Sequence, residues 1–292
     1  MPPPSLRTTL LLLLLGSCAA EWVHGGPGTD YIQVHSVFPP ILKNFWNNGM
    51  RFWSFGLNTI VTDNYIRLTD DRPNTSGYLW NRHANQMEAF ELNVTLLLQH
   101  GNRVGSLDAG VSGIGIWYTT SDRFNRNETR FFGFQPTFSG VGIVMTNVGE
   151  ISLVVNDGNT SMTANLLKEK RHGFCRVRLS GNKLLTLILQ YTNSSLRVLY
   201  ALHPVKEGTK DSFLRSSAPV VPCVTGPTLP LDKKCYFGVT ATNLERSRVT
   251  HQVQSVVMTP LVDLERHTEE ENMAAQPRLF REDENNLEDM SD

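Results

Sequence analysis

The 292-residue sequence contains no Gly-x-Ser-x-Gly nucleophile elbow, no His-Glu-x-x-His zinc site and no phosphate-cradling Gly-Lys-Ser/Thr loop. These absences argue against the serine hydrolases, zincins and P-loop enzymes that carry them. Neighbouring carboxylates are also scarce. Apart from Asp70-Asp71-Arg72-Pro73, which reads as a solvated turn, the close acid pairs lie in the last 30 residues. A glycoside hydrolase needs two carboxylates ~5 to 9 Å apart across its cleft, and no candidate strand supplies them. No internal repeat of fixed period is found, which excludes a propeller or solenoid. Basic and aromatic residues are not interleaved as in nucleic-acid binders, so no nucleic-acid partner is expected. Before the last 30 residues no stretch holds a 3.6-residue period over three turns, which leaves few helices.

Long apolar runs are missing as well. Leu10 to Leu15 is the one compact run, far short of the ~20 residues that span a bilayer. It follows Arg7 and precedes Gly16-Ser17-Cys18-Ala19-Ala20, small residues suited to signal peptidase. Residues 1–20 are therefore expected to be a signal peptide, with no membrane span in this chain and the mature protein in the secretory lumen or secreted. Asn-x-Ser/Thr triplets at Asn74, Asn93, Asn127, Asn159 and Asn193 are candidate glycan acceptors in that compartment. Cysteine is sparse: Cys18 leaves with the leader, and Cys175, Cys223 and Cys235 remain. An odd number in an oxidising compartment implies one bridge plus one free or intermolecular thiol.

Charge is unevenly spread. From Asp263 to Asp292 there are 11 acidic and 3 basic residues, a balance of -8, against 24 basic and 17 acidic residues before it. With few large apolar residues, that tail cannot offset its ordering entropy and reads as disordered. The organisation expected is a signal peptide over 1–20, an extension over 21–33, one domain over 34–262 and an acidic tail over 263–292.

Between the ends, short β-rich runs alternate with turn residues. In Glu91-Leu92-Asn93-Val94-Thr95-Leu96 the apolar side chains fall on one face, the period of a half-buried strand, and Arg176-Val177-Arg178-Leu179 repeats it. Asn156-Asp157-Gly158 and Thr192-Asn193-Ser194 are hairpin material. Many short strands with few helices mean an all-β sandwich or barrel. Glycines at alternate positions of Gly113-Ile114-Gly115-Ile116 and Gly140-Val141-Gly142-Ile143 mark either curvature or the close approach of another layer.

Three motifs then resemble a known family. Gly77-Tyr78-Leu79-Trp80-Asn81-Arg82, Gly113-Ile114-Gly115-Ile116-Trp117-Tyr118-Thr119 and Phe138-Ser139-Gly140-Val141-Gly142-Ile143 occur in the order of the L-type, legume-like lectin domain of cargo receptors cycling between endoplasmic reticulum and Golgi. His35-Ser36-Val37-Phe38-Pro39-Pro40 and Trp53-Ser54-Phe55-Gly56 resemble its vesicular integral-membrane lectin branch. The resemblance implies a concanavalin-like jelly-roll sandwich of two curved antiparallel sheets, and a disulfide whose two positions fall at Cys175 and Cys223. Cys235 has no counterpart and is left as a buried thiol or an intermolecular bridge.

It also implies a sugar site ordered by calcium. Its sugar positions fall at Ser112, Asn147, Asn156, Asn243 and Leu244, and its metal loop at Thr146, Val148 and Glu150. The pattern asks for Asp at Ser112, Asp-x-aromatic-x-Asn at Thr146, Val148 and Glu150, and a His and an Asp beyond Asn156-Asp157-Gly158, where Ser161-Met162-Thr163-Ala164-Asn165 stands instead. A hard cation needs roughly six to eight converging oxygens, so the metal positions are expected to be vacant. Glu150 and Asp157 are the acids that could stand in, although Asp157 also fits a hairpin turn. The function expected is that of a non-enzymatic luminal lectin-like protein with weakened calcium-dependent sugar binding. Expected partners are glycoproteins bearing high-mannose glycans, a membrane-bound lectin relative or another luminal protein.

Overall fold

The computed structural model describes residues 31–47, 49–100, 111–179, 183–192, 195–205, 218–227 and 234–261. The expected signal peptide, the acidic tail and Asn193 lie outside these residues. A two-stranded ribbon, β1 (Phe45–Trp46) with β2 (Gly49–Met50), precedes β3 (Trp53–Leu57), β4 (Ile60–Val61), β5 (Ile66–Thr69) and β6 (Thr75–Asn81). The long β7 (Phe90–His100) leads to β8 (Gly113–Thr119), β9 (Ser139–Thr146) and β10 (Glu150–Asp157). Helix α1 (Ala164–Lys170) then separates β10 from β11 (Gly173–Arg176), β12 (Lys183–Tyr191) and β13 (Leu196–Pro204). The last strands are β14 (Val221–Gly226), β15 (Tyr236–Asn243) and β16 (Val249–Pro260).

Two seven-stranded antiparallel sheets result, in the orders β11-β10-β9-β8-β15-β6-β3 and β14-β13-β12-β7-β16-β5-β4. The strand pattern left a sandwich or a barrel, and this is the two-sheet sandwich that the family resemblance implied. Period-2 alternation supplies its core: Leu92, Val94, Leu96 and Leu98 of β7 point inward against Ile114, Ile116 and Tyr118 of β8. Phe90 anchors one end, edge-on to Tyr118 at 5.1 Å and to Phe237 at 5.2 Å. Each such side chain, fully buried, contributes on the order of 1.5–3 kcal/mol. The chain already lies against this body at Ile32, whose N–H donates to the Met258 carbonyl at 2.8 Å.

The strand expected over Arg176–Leu179 is displaced in the structure to β11, Gly173–Arg176, and shares only Arg176 with it. It stops at Arg176, and Val177 N–H donates to the Gly149 carbonyl across the β9–β10 turn at 2.8 Å. Helix α1 spans only seven residues, too short for a three-turn period, and starts where the Thr163 hydroxyl accepts from Leu166 N–H. Cys175 on β11 and Cys223 on β14 form a disulfide with Cα atoms 5.3 Å apart. Since β11 and β14 are edge strands of opposite sheets, the bond clips the open side of the sandwich. Closing 48 residues of chain this way stabilises the fold by about 4 kcal/mol in the chain-entropy account. Cys235 is fully buried in the core.

The outer face of the β8-containing sheet carries a second apolar layer. Tyr78, Trp80 and Trp117 project away from the core and are covered by Phe131, Phe132, Phe134 and Phe138 with Leu167 of α1. The alternating glycines belong to this layer, since a Cβ at Gly115 or Gly142 would run into the Trp117 ring and one at Gly238 into Trp80. The indole N–H of Trp117 donates to the Thr240 hydroxyl at 2.7 Å, which donates to the Phe132 carbonyl at 2.6 Å. The segment over the sheet is thus held by apolar contact and by a polar relay.

Candidate functional site

Antiparallel pairing brings the start of β8, the turn after β9 and the last residue of β15 to one end of the sheet, because Gly113 pairs with both Thr146 and Thr242. Ser112, Asn147 and Asn243 therefore converge, and all three are buried. They converge on one another. The Ser112 hydroxyl donates to the Thr242 carbonyl at 3.0 Å and accepts from the Asn147 amide at 3.4 Å and from Leu244 N–H at 3.3 Å. The Asn147 carbonyl oxygen lies 2.7 Å from His251 Nε2, and His251 Nδ1 lies 2.6 Å from the Thr69 hydroxyl. The Asn243 amide donates to the carbonyls of Asp70 and Val249, each at 2.8 Å, while its oxygen accepts from the Ser247 hydroxyl at 2.9 Å.

Every polar atom named here already has a protein partner. Burying such groups is favourable only when they are satisfied, and the network meets that condition without any further ligand. His251 and Ser247, which close it, were not among the site positions read from the sequence. A lone histidine in an alternating strand carries no local mark of its cross-sheet partner.

The remaining candidates stand apart from the network. The β9–β10 turn is tight: Gly149 adopts φ 81° and its N–H donates to the Thr146 carbonyl at 2.9 Å. The Thr146 hydroxyl accepts from Glu150 N–H at 3.2 Å, and Val148 is 52% exposed. Glu150 faces two guanidinium groups, with Arg171 Nη1 at 2.6 Å from one carboxylate oxygen and Arg176 Nη2 at 3.1 Å from the other. Burial alone would raise the Glu150 pKa, but the hydrogen bonds and charges of these arginines outweigh it and hold it below the usual carboxylate range.

Asn156 and Asp157 end β10 while Glu150 begins it, so about 23 Å of strand separates the two acids at ~3.3 Å per residue. Asn156 donates to the Thr160 carbonyl at 2.7 Å, and Asp157 accepts from Asn159 N–H at 2.9 Å. They build a hairpin and share no site with Glu150. Among the sequons, Asn74, Asn127 and Asn159 are exposed, whereas Asn93 is half-buried on the central strand β7 with its amide 2.8 Å from Glu91.

A calcium ion would need these groups to turn oxygens toward one point. Thr146 offers a neutral hydroxyl that already accepts from Glu150 N–H, Val148 only its backbone carbonyl, the Asn147 side-chain oxygen accepts from a histidine, and the one carboxylate, Glu150, is engaged by two arginines. The donor set does not fit the ion.

Comparison with known proteins places the chain. The model of the legume-like lectin family matches residues 29–268. Vesicular integral-membrane protein VIP36 of Homo sapiens is 30% identical over 171 residues, covering 55% of this chain and 46% of that protein. The VIP36-like protein of Homo sapiens is 33% identical over 168 residues, 53% and 46% of the two chains. The chain thus spans about half the length of the curated relatives it matches. Among solved structures, the calcium-bound exoplasmic/lumenal domain of VIP36 superposes with a TM-score of 0.66 at 22% identity, covering 80% of this chain and 93% of that one. That likeness bears on the fold.

Proposed function

The chain belongs to the legume-like lectin family, and from that premise we propose that it is a non-enzymatic, lectin-like protein of the early secretory lumen. It would recognise high-mannose glycoproteins or protein surfaces of cargo, with the calcium-dependent sugar binding of its relatives weakened or lost. The relatives support the first half: VIP36 has been solved bound to calcium and Man3GlcNAc. The observation that carries the second half is the closed network of Ser112, Asn147, Asn243 and His251, together with a single carboxylate held by Arg171 and Arg176. Among the described residues no helix is long and apolar enough to cross a membrane.

Losing carboxylates removes the charge that offsets dehydration of a divalent cation, so the loops of this chain are ordered by hydrogen bonds instead. Isothermal titration of the mature protein with high-mannose oligosaccharide, in calcium and in chelator, tests this. Weak binding that is indifferent to calcium is expected. Tight, calcium-dependent binding would sink the proposal and make the chain a mannose-specific cargo lectin of the ordinary type.

A further inference from the structure

At the end of the sheet opposite the network lies an open cleft of about 470 Å³ lined by Ser54, Tyr78, Arg82, Asp122, Arg123, Phe124, Arg126 and Tyr236. Strand parity builds its floor. Tyr78 alternates with the inward Leu79, and Tyr236 with the inward Phe237, so Tyr78, Arg82 and Tyr236 face outward together. Residues 121–126 form the wall, tied to the floor where the Trp80 indole N–H donates to the Ser121 carbonyl at 3.2 Å. Phe124 stacks on Tyr78 with centroids 3.9 Å apart and planes 13° apart.

Three guanidinium groups and one carboxylate share this cleft. Among the described residues Arg123 alone of the three has an ion-pair partner, Asp122, and only at 3.7 Å in an exposed position. Arg126 donates to the Tyr78 hydroxyl at 3.2 Å and sits 6.0 Å from that ring's centre, which holds its fork at the aromatic rim. The cleft therefore keeps an excess of two positive charges beside flat apolar surface. This contrasts with Glu150, where each carboxylate oxygen meets its own arginine.

We propose that this cleft binds an anionic sugar. Its phosphate or sulfate ester would be gripped by Arg82, Arg123 and Arg126, and its ring would lie against Phe124 and Tyr236. Guanidinium forks match the oxygens of such esters in pairs, aromatic faces accept the C–H face of a sugar ring, and the volume suits a ligand of one or two rings. The site needs no metal and is independent of the network that the proposed loss of calcium binding rests on.

The test is titration of the full mature chain, in chelator, with mannose 6-phosphate, mannose 6-sulfate, mannose and inorganic phosphate. Both esters are expected to bind more tightly than mannose or inorganic phosphate, and to weaken as salt rises. The phosphate ester is expected to lead because it approaches two charges near neutral pH. Arg82→Gln and Arg126→Gln, exposed positions whose variants should keep the wild-type circular dichroism, are expected to weaken the ester about tenfold each. Arg126→Lys should recover only part of that loss if the fork matters beyond its charge. No response to either ester, a response no stronger than that to inorganic phosphate, or one that the arginine variants leave unchanged would each overturn the site. Because chelator is present throughout, failure here leaves the calcium titration with high-mannose oligosaccharide to be judged separately.

Discussion

The two ends of one sheet solve the same electrostatic problem in opposite ways. At the end where β8 begins and β15 finishes, polar side chains are buried and consume one another's hydrogen-bonding capacity. At the other end, where β15 begins, three arginines stay exposed around a cleft with one poorly placed acid. The difference teaches that polar groups mark a binding site only when their valences remain open. Buried and satisfied groups act as structure, whereas exposed and unneutralised ones retain free energy for a ligand.

The largest expected break in this symmetry comes from Asn243→Ala. It strips the Asp70 carbonyl of its amide donor and the Ser247 hydroxyl of its acceptor, while the Val249 carbonyl keeps the Thr69 hydroxyl at 3.0 Å. With a cost of roughly 1–3 kcal/mol for each unsatisfied buried group, about 3–5 kcal/mol of stability should disappear, read as a lower midpoint in urea. A surface-like cost would mean that the network is open to water and that its closure has been overstated. Next, replacing both Cys175 and Cys223 with serine should cost about 2–4 kcal/mol by thermal melting. That loss should fall on global unfolding and leave the arginine cleft intact, because the bond joins β11 to β14 at the far side of both sheets.

A smaller effect concerns pH. Burial holds His35 below its usual range, with the Asn81 hydrogen bond offsetting part of that and His83 adding to it. A depressed folded pKa means that the unfolded chain takes up the proton first. Stability is then full above about pH 6.5 and falls as pH drops through the folded value. Denaturation curves across that range should show the decline, and His35→Gln should make it shallower while His203, also held low by burial, sustains the rest; an unchanged slope would remove His35 as a cause.

Glu150→Gln should cost about 1–2 kcal/mol, since the bond to Arg176 is largely exposed while the one to Arg171 is mostly buried. The folded carboxyl has a depressed pKa, so the difference from wild type should be fully present above about pH 4.5 and be lost as pH falls through the lower folded value. The smallest effect is expected from Arg82→Gln, within about 0.5 kcal/mol, as for other exposed substitutions. A large loss there would show the cleft to be structural after all.

Much of the architecture could be read from residue order alone. Alternation in Glu91 to Leu96 and the succession of hairpin residues led to an all-β sandwich or barrel, and the Trp-Asn-Arg and Gly-x-x-x-Trp-Tyr-Thr motifs in their order led to the family and its two sheets. Leu179 misled because alternation describes a face and cannot tell where an edge strand loses its neighbour. Ser112, Asn147 and Asn243 could be picked out as family positions, yet nothing local revealed that His251, about 100 residues beyond Asn147, would occupy the amide oxygen. The arginine cleft was invisible for the same reason: Arg82, Arg126 and Tyr236 come from distant segments that meet only through strand register.

What the sequence determined by itself was the period of each strand, the sites of turns and the shortage of carboxylates in the loops, since these are properties of near neighbours. Only the tertiary structure decided which polar groups were already spent and which arginines were left without an acid among the described residues. Satisfaction of a hydrogen bond or a charge is a relation between residues far apart in the chain, and it exists once the sheets have packed.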